Sequence, residues 1–262
     1  MMGRIGFSVL IVAAGFLYLP LVVLAMFSFN DSALMAFPLS GFTLDWYREL
    51  AQSDNFLSGF VTSFLIAQPV GILAMLFGLM ASLALTAPGF RWRGLFAVLL
   101  LTPFLVPKSV LSIAQAMIMS RIGFERGATA LILAQSLVAL PFATALISAV
   151  MVRFDRRLIE AARDLGASPW QAFLRVLLPQ IRPALSGAYS VGVILSLADL
   201  TIAMFLAGRT QPLSLMVASE FRRELRPDLN AMQVVVLVVT ALLVGLSEVY
   251  RRRRLRRLAA AA

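Results

Sequence analysis

MVRFDRRLIEAARDLGASPWQAFLRVLLPQIRPA, residues 151–184, is the one long polar interval between the apolar blocks of this chain. Its pattern predicts two short helices joined by a hinge. Asp155 is placed to cap the first, and Leu158, Ile159, Ala162 and Leu165 recur on one face at helical spacing. Gly166 follows, where a left-handed residue would end that helix. Ser168, with Pro169 after it and Gln171 three residues on, forms a capping box with proline at the first helical position. Trp170, Phe173, Leu174, Leu177 and Leu178 then make one apolar stripe, which Pro179 is expected to stop.

On either side of this hinge the sequence is built for lipid. The 262 residues are 60% hydrophobic and 14% charged, with a mean hydropathy of +0.89, too apolar for a soluble core. Six apolar blocks, at about 7–29, 58–86, 94–119, 128–150, 185–207 and 229–249, approach or exceed the roughly 20 residues needed to cross a hydrocarbon layer. The first is too long for the apolar core of a signal peptide and lacks a small-x-small cleavage site, so it reads as a retained helix. Residues 30–57 are polar, with room for a short surface helix around Leu44–Gln52. Ala87-Pro88-Gly89 marks a turn, and Pro103 and Pro107 interrupt the third block.

The net charge of +10 is concentrated in short segments beside the apolar blocks, which is a pattern of membrane orientation rather than of nucleic-acid binding. With the N-terminus inside, arginines on the inner side outnumber those on the outer side by about two to one. The segment 151–184, with Arg153, Arg156, Arg157, Arg163, Arg175 and Arg182, and the basic end from Arg251 carry most of that excess. The expectation is an all-α membrane protein: one domain of six transmembrane helices, both termini cytoplasmic, and the segment 151–184 a cytoplasmic loop between helices 4 and 5. The basic end, flush against an apolar helix, suits anionic lipid.

The chain has no Cys and no His, which removes thiol nucleophiles, imidazole bases and Cys/His metal sites. Its one lysine, Lys108, follows a proline, so no phosphate-binding loop ending in Lys-Ser or Lys-Thr exists. Lys108 and Asp199 are the two charges set well inside apolar blocks, which makes both functional candidates facing a bundle interior. Lys108 shares a helical face with Ser112 and Gln115. Asp199 continues a stripe of small residues (Ala188, Gly192, Ser196, with Ala203 beyond) that favours a close-packed seam at the pore or a dimer axis. These four polar residues, Lys108, Ser112, Gln115 and Asp199, read either as a polar path for substrate, or as a structural ion pair between Lys108 and Asp199, or with Lys108 reaching an interface.

Glu160-Ala161-Ala162, three residues, Gly166, nine residues, then Val176, Leu178 and Pro179 resemble the EAA loop of bacterial ABC importer permeases, with Val176 standing for the family's isoleucine. Ser196-Leu197-Ala198-Asp199-Leu200 and Phe205-Leu206-Ala207-Gly208 resemble the fifth helix of the spermidine/putrescine branch, departing at Ala198, where that branch often carries a second acidic residue. The resemblance implies an inner-membrane permease whose loop docks on a separate ATPase. Ala161 and Ala162 would allow close approach, Gly166 the turn, and Glu160, Arg163 and Asp164 polar contacts. It implies as partners a second permease subunit, identical or not, two ATPase subunits holding the ATP and Mg, and an external binding protein docked on residues 30–57 and 208–228. No cofactor is expected in this chain itself. Charge leaves the substrate open: a polyamine suits Asp199, while a phosphonate or amino-acid derivative suits Lys108. A channel or secondary transporter would show two related halves, and no repeat is visible. A membrane enzyme would need paired carboxylates or an activated hydroxyl, and no intramembrane carboxylate pair is present.

Overall fold

The computed structural model describes residues 2–32, 38–223, 230–242 and 245. Among these, helices carry the fold: α1 (Met2–Ser28), α2 (Asp45–Gln52), α3 (Asp54–Thr86), α4 (Arg93–Leu105), α5 (Lys108–Arg121), α6 (Ala128–Met151), α7 (Arg157–Asp164), α8 (Pro169–Ala172), α9 (Leu178–Leu197), α10 (Thr201–Leu206) and α11 (Leu213–Arg223). A further apolar helix covers Asn230–Leu242. The expected sixth span, 229–249, and the basic end from Arg251 lie partly or wholly outside the described residues, as does part of the segment 208–228.

Three described helices are long and apolar enough to cross a membrane: Val9–Ser28 within α1, α3 and α6. A fourth span results if α4 and α5, bent by 106° at their junction, count together. The block at 94–119 is thus two helices rather than one. Val106 precedes a proline, whose ring disfavours the helical conformation in its neighbour, and Val106 is extended at φ −94° and ψ 132°. Pro107 then starts α5 with no N–H to lose. The block at 185–207 is also interrupted. Its helix begins earlier, at Leu178, ends at Leu197, and resumes at Thr201.

The chain divides into two compact units, Met1–Gly59 with Met216–Leu246, and Phe60–Leu215 with Ser247–Ala262. In the first, the segment after α1 folds back on the end of that helix. Asn30 pairs with Phe42 in a β-bridge, its carbonyl accepts from Trp46 Nε1 at 2.9 Å, and Ser28 Oγ meets Tyr47 Oη at 2.7 Å. These bonds seat α2, the short surface helix expected there.

The second unit is built on small residues. Ala67, Val70 and Ala74 of α3, Ala130, Ala134, Ala139 and Ala143 of α6, and Ala184 and Ala188 of α9 are all buried. Short side chains let backbones approach, the main source of helix association where lipid is as apolar as the core. A Cβ on Gly192 would lie 2.8 Å from Gly71 Cα and 3.2 Å from Ala74 Cβ, so α3 and α9 touch backbone to backbone. A Cβ on Gly78 would lie 2.8 Å from Ala143 Cβ of α6. Beside that contact, Ser82 Oγ reaches the carbonyls of Gly78 at 2.7 Å and Thr144 at 3.0 Å, tying α3 to α6 with one hydroxyl.

The C-terminal end of α3 collects two guanidinium groups. Arg156 Nη2 donates to the Thr86 carbonyl, and Arg93 Nη2 donates to the Ala87 carbonyl at 2.7 Å. The last carbonyls of a helix lack intrahelical partners and carry partial negative charge, so cations there are favourable.

Substituting Gly192 by Val should lower stability by at least about 1–3 kcal/mol, because the added carbons meet the Gly71 backbone and the short Ala74 side chain, neither of which can swing aside. Gly187→Ala, with nothing within 4 Å of its Cβ, should be neutral or stabilising. Unfolding midpoints in detergent compare the two; equal midpoints would contradict the packing.

Candidate functional site

The hinged segment folds locally much as its residues dictate. Asp155 Oδ1 accepts from the Arg157 N–H at 3.0 Å, at the start of α7. At the other end Gly166 has φ +87°, its N–H bonds the Arg163 carbonyl at 2.9 Å, and the Ala167 N–H bonds that of Ala162 at 3.0 Å. This pair of bonds around a left-handed glycine is the Schellman arrangement, which fixes the chain reversal. Two residues on, Ser168 and Gln171 make the reciprocal capping box, with bonds of 2.9 and 3.2 Å, and Pro169 opens α8.

One expectation for this segment needs correction. Pro179 does not stop the helix. Residues 173–177 form a wide π turn, closed by the Leu178 N–H on the Phe173 carbonyl, and α9 runs on through Pro179 and Pro183. The extra residue in the wide turn takes up the ring that would otherwise press on the carbonyl four residues back. The apolar residues on one face of α7 and just past it differ in burial. Ile159 packs on the core, whereas Leu158 is exposed and Leu165, just past the helix, is 90% exposed. Ala172, which the stripe did not include, is buried, while Trp170 is 66% exposed with its ring stacked on Phe173 at 5.4 Å.

Glu160, Ala161, Asp164, Gly166 and Pro179 are exposed, and Ala162, Val176 and Leu178 are half-buried. The motif residues therefore surround an exposed reversal flanked by the apolar side chains Leu158, Leu165 and Trp170. An exposed apolar group of this kind on a fixed turn is available for contact outside this chain.

The intramembrane candidates also come together. Lys108 Nζ lies 2.5 Å from Asp199 Oδ2, with the aspartate side chain 3% and the lysine side chain 44% exposed. Each sits at a helix break. Lys108 is the first residue of α5, where a cation opposes the helix dipole, and the carboxylate offsets it. Asp199 lies between α9 and α10, where its Oδ1 accepts from the Ile202 N–H at 2.8 Å and its carbonyl accepts from Ser214 Oγ at 2.9 Å. One carboxylate thus caps α10 and holds the start of α5.

Ser112 and Gln115 are buried one and two turns beyond Lys108. Ser112 Oγ donates to the Lys108 carbonyl at 2.7 Å, and Gln115 Nε2 donates to the Ala134 carbonyl at 3.3 Å, leaving Gln115 Oε1 buried without a hydrogen bond. The small-residue seam is closed by the chain itself. Gly192 meets α3, and Ser196 Oγ donates to Gln135 Oε1 of α6 at 2.6 Å. Gln135 and the Gln68–Tyr189 hydrogen bond were not singled out from sequence, although a glutamine inside an apolar block is the signal that marks both. A groove of about 540 Å³ lies beside this network, lined by Ile113, Met117, Ser120, Arg121, Arg126 and Phe205 among others, but not by Lys108, Ser112, Gln115 or Asp199.

Residues 59–258 match the family described as the binding-protein-dependent transport system inner membrane component. The chain belongs to this family. It is a multi-pass inner-membrane permease component of a transport system. It is 31% identical to the putrescine transport system permease protein PotI of Escherichia coli (strain K12), over 87% of this chain and 84% of that one. It is 28% identical to the spermidine/putrescine transport system permease protein PotC of Haemophilus influenzae, over 92% and 94%. Among solved structures, a chain of a bacterial ABC transporter involved in the import of the acidic polysaccharide alginate superposes with a TM-score of 0.75 at 16% identity, covering 95% of this chain and 96% of that one. That likeness is one of fold.

Because Asp199 is buried, removing Lys108 alone strands a carboxylate. Lys108→Met and Asp199→Asn should each destabilise the permease, and the double variant should lose less than their sum, with a coupling of about 1–3 kcal/mol. Denaturant titration of all four proteins measures it; additive losses would mean the pair contributes nothing.

Proposed function

We propose that this permease imports polyamines in an ATP-driven complex, and that residues 160–179 receive the motion of a separate ATPase subunit. What carries the substrate assignment is the similarity to the PotI and PotC permeases across most of the chain. A buried carboxylate at a helix break, Asp199, is the group in this chain suited to an ammonium. Lys108 covers it, so a cationic substrate would have to displace the lysine ammonium, and Ser112 and Gln115 would line the continuation of that path. The close pairing also favours a second reading, in which Lys108 and Asp199 only hold two helix breaks together.

The coupling role rests on the exposed reversal at Gly166, with Leu158, Leu165 and Trp170 beside it and the polar Glu160 and Asp164 at its rim. Hydrolysis of ATP, with its Mg, belongs to the partner ATPases, and this chain acts as the gate rather than as an enzyme. In this reading the chain is one permease domain with six spans, both termini and the coupling loop cytoplasmic. It pairs with a second permease subunit and takes substrate from an external binding protein.

Uptake of labelled putrescine and spermidine by cells relying on this permease and its partner subunits tests the substrate; accumulation of neither, with sulfate or amino acids taken up instead, overturns it. Gly166→Val should leave membrane insertion intact and abolish both uptake and substrate-stimulated ATP hydrolysis, since a β-branched residue cannot hold φ near +87° without strain. Normal uptake by that variant would remove the coupling role. Asp199→Asn losing uptake more than Lys108→Met would favour the substrate reading of the pair.

A further inference from the structure

The coupling segment is joined to the helical bundle by its ends, since α6 runs into it and α9 leaves it. Ile159 also packs on the core, and a polar attachment to α3 lies outside the chain path. Arg156, in the turn between α6 and α7, donates from Nη2 to the carbonyl of Thr86, the last residue of α3. Thr86 is itself fixed: its Oγ1 donates to the Ser82 carbonyl at 2.7 Å, and Ser82 is bonded across to α6 through the Thr144 carbonyl. The next carbonyl, that of Ala87, is held by Arg93, the first residue of α4. Two guanidinium groups, one from the coupling segment and one from the α4–α5 pair, therefore grip consecutive carbonyls at one helix end. That end carries the partial negative charge of a long helix, so both contacts are charge-assisted.

We infer that Arg156 is a positioning residue for energy coupling, clasping the segment 157–179 to the end of α3 so that displacement of the segment moves α3 and, through Arg93, the bent α4–α5 pair. The proposal rests on the coupling reading of residues 160–179. Without the clasp, only the chain connections and the packing of Ile159 on the core would hold residues 157–168, which could then shift while α3 stayed in place. ATP would then be hydrolysed with little substrate moved. A lysine at position 156 retains a cation able to reach a carbonyl, whereas glutamine keeps polarity and loses the charge. Because Arg156 is exposed, its replacement should leave the fold intact.

The test uses the complete transporter, permease with its partner subunits and binding protein, reconstituted in liposomes, with ATP hydrolysed per putrescine accumulated as the readout. Arg156→Gln is expected to keep ATPase binding and to retain ATP hydrolysis within about twofold. Uptake should fall about tenfold, so the ratio of ATP to substrate rises by a similar factor. Arg156→Lys should restore at least half of the uptake. As the chain has no cysteine of its own, a Thr86→Cys/Arg156→Cys permease joined by a short thiol cross-linker offers a second arm, in which cross-linking should raise uptake above that of the unlinked pair. An unchanged ratio in Arg156→Gln overturns the clasp, as does a parallel loss of ATPase binding, hydrolysis and uptake, which would make Arg156 a docking residue. Gly166→Val is run beside it. If that variant transports normally, the coupling reading itself fails; if it is inactive while Arg156→Gln keeps a normal ratio, the clasp alone fails.

Discussion

An interrupted helix in apolar surroundings exposes amides and carbonyls that lipid cannot satisfy, and each such group must find a partner within the protein. This chain is interrupted at Val106–Pro107, at Ala198–Leu200, after Thr86 and across residues 152–168. Its polar side chains are spent at those places. Asp199 takes the Ile202 N–H and the Lys108 ammonium, Ser214 takes the Asp199 carbonyl, and Arg156 and Arg93 take the ends of α3. The hinge solves its own ends with a left-handed glycine and a capping box. The remaining helix surface can then be built from alanine, glycine and branched aliphatic residues, which suits both lipid and close packing.

That economy explains what was legible in the sequence. Local rules with a short range read well: the Schellman turn at Gly166, the capping box at Ser168, the short helix α2 and the apolar spans at α1, α3 and α6. The pairing of Lys108 with Asp199 was readable as one of several options because two charges in apolar blocks have few other places to go. The failures were cases where two local rules compete. A proline normally ends a helical pattern, yet at Pro179 a single wide turn resolves the clash at lower cost than a break. The apolar residues of α7 obey helical spacing, but spacing alone does not say which of them the fold leaves for a partner. Long-range contacts such as Arg156 with Thr86 have no local signature at all.

The site shows how a permease can hold polar groups in its interior without an open polar channel through one chain. Gln135, Ser196 and Gln68 are satisfied by neighbours from the same chain, and the seam that small residues suggest is filled by α3 and α6 rather than left for a second subunit. Exposed instead are Leu158, Leu165 and Trp170 around the reversal at Gly166, and half of the Lys108 side chain. Membership of the inner-membrane transport family gives both a context, since that family is a component of binding-protein-dependent transport systems.

The wide turn at 173–177 has a further consequence. Because it lets the helix pass Pro179, residues 169–197 form one uninterrupted helical rod, with the capping box at one end and Asp199 two residues past the other. At about 1.5 Å per residue its contour is on the order of 43 Å, close to the thickness of a bilayer including its headgroups, about 40–45 Å. The surface reversal and the buried ion pair, far apart in space, are therefore opposite ends of one continuous helix, which Gly192 seats against the backbone of α3.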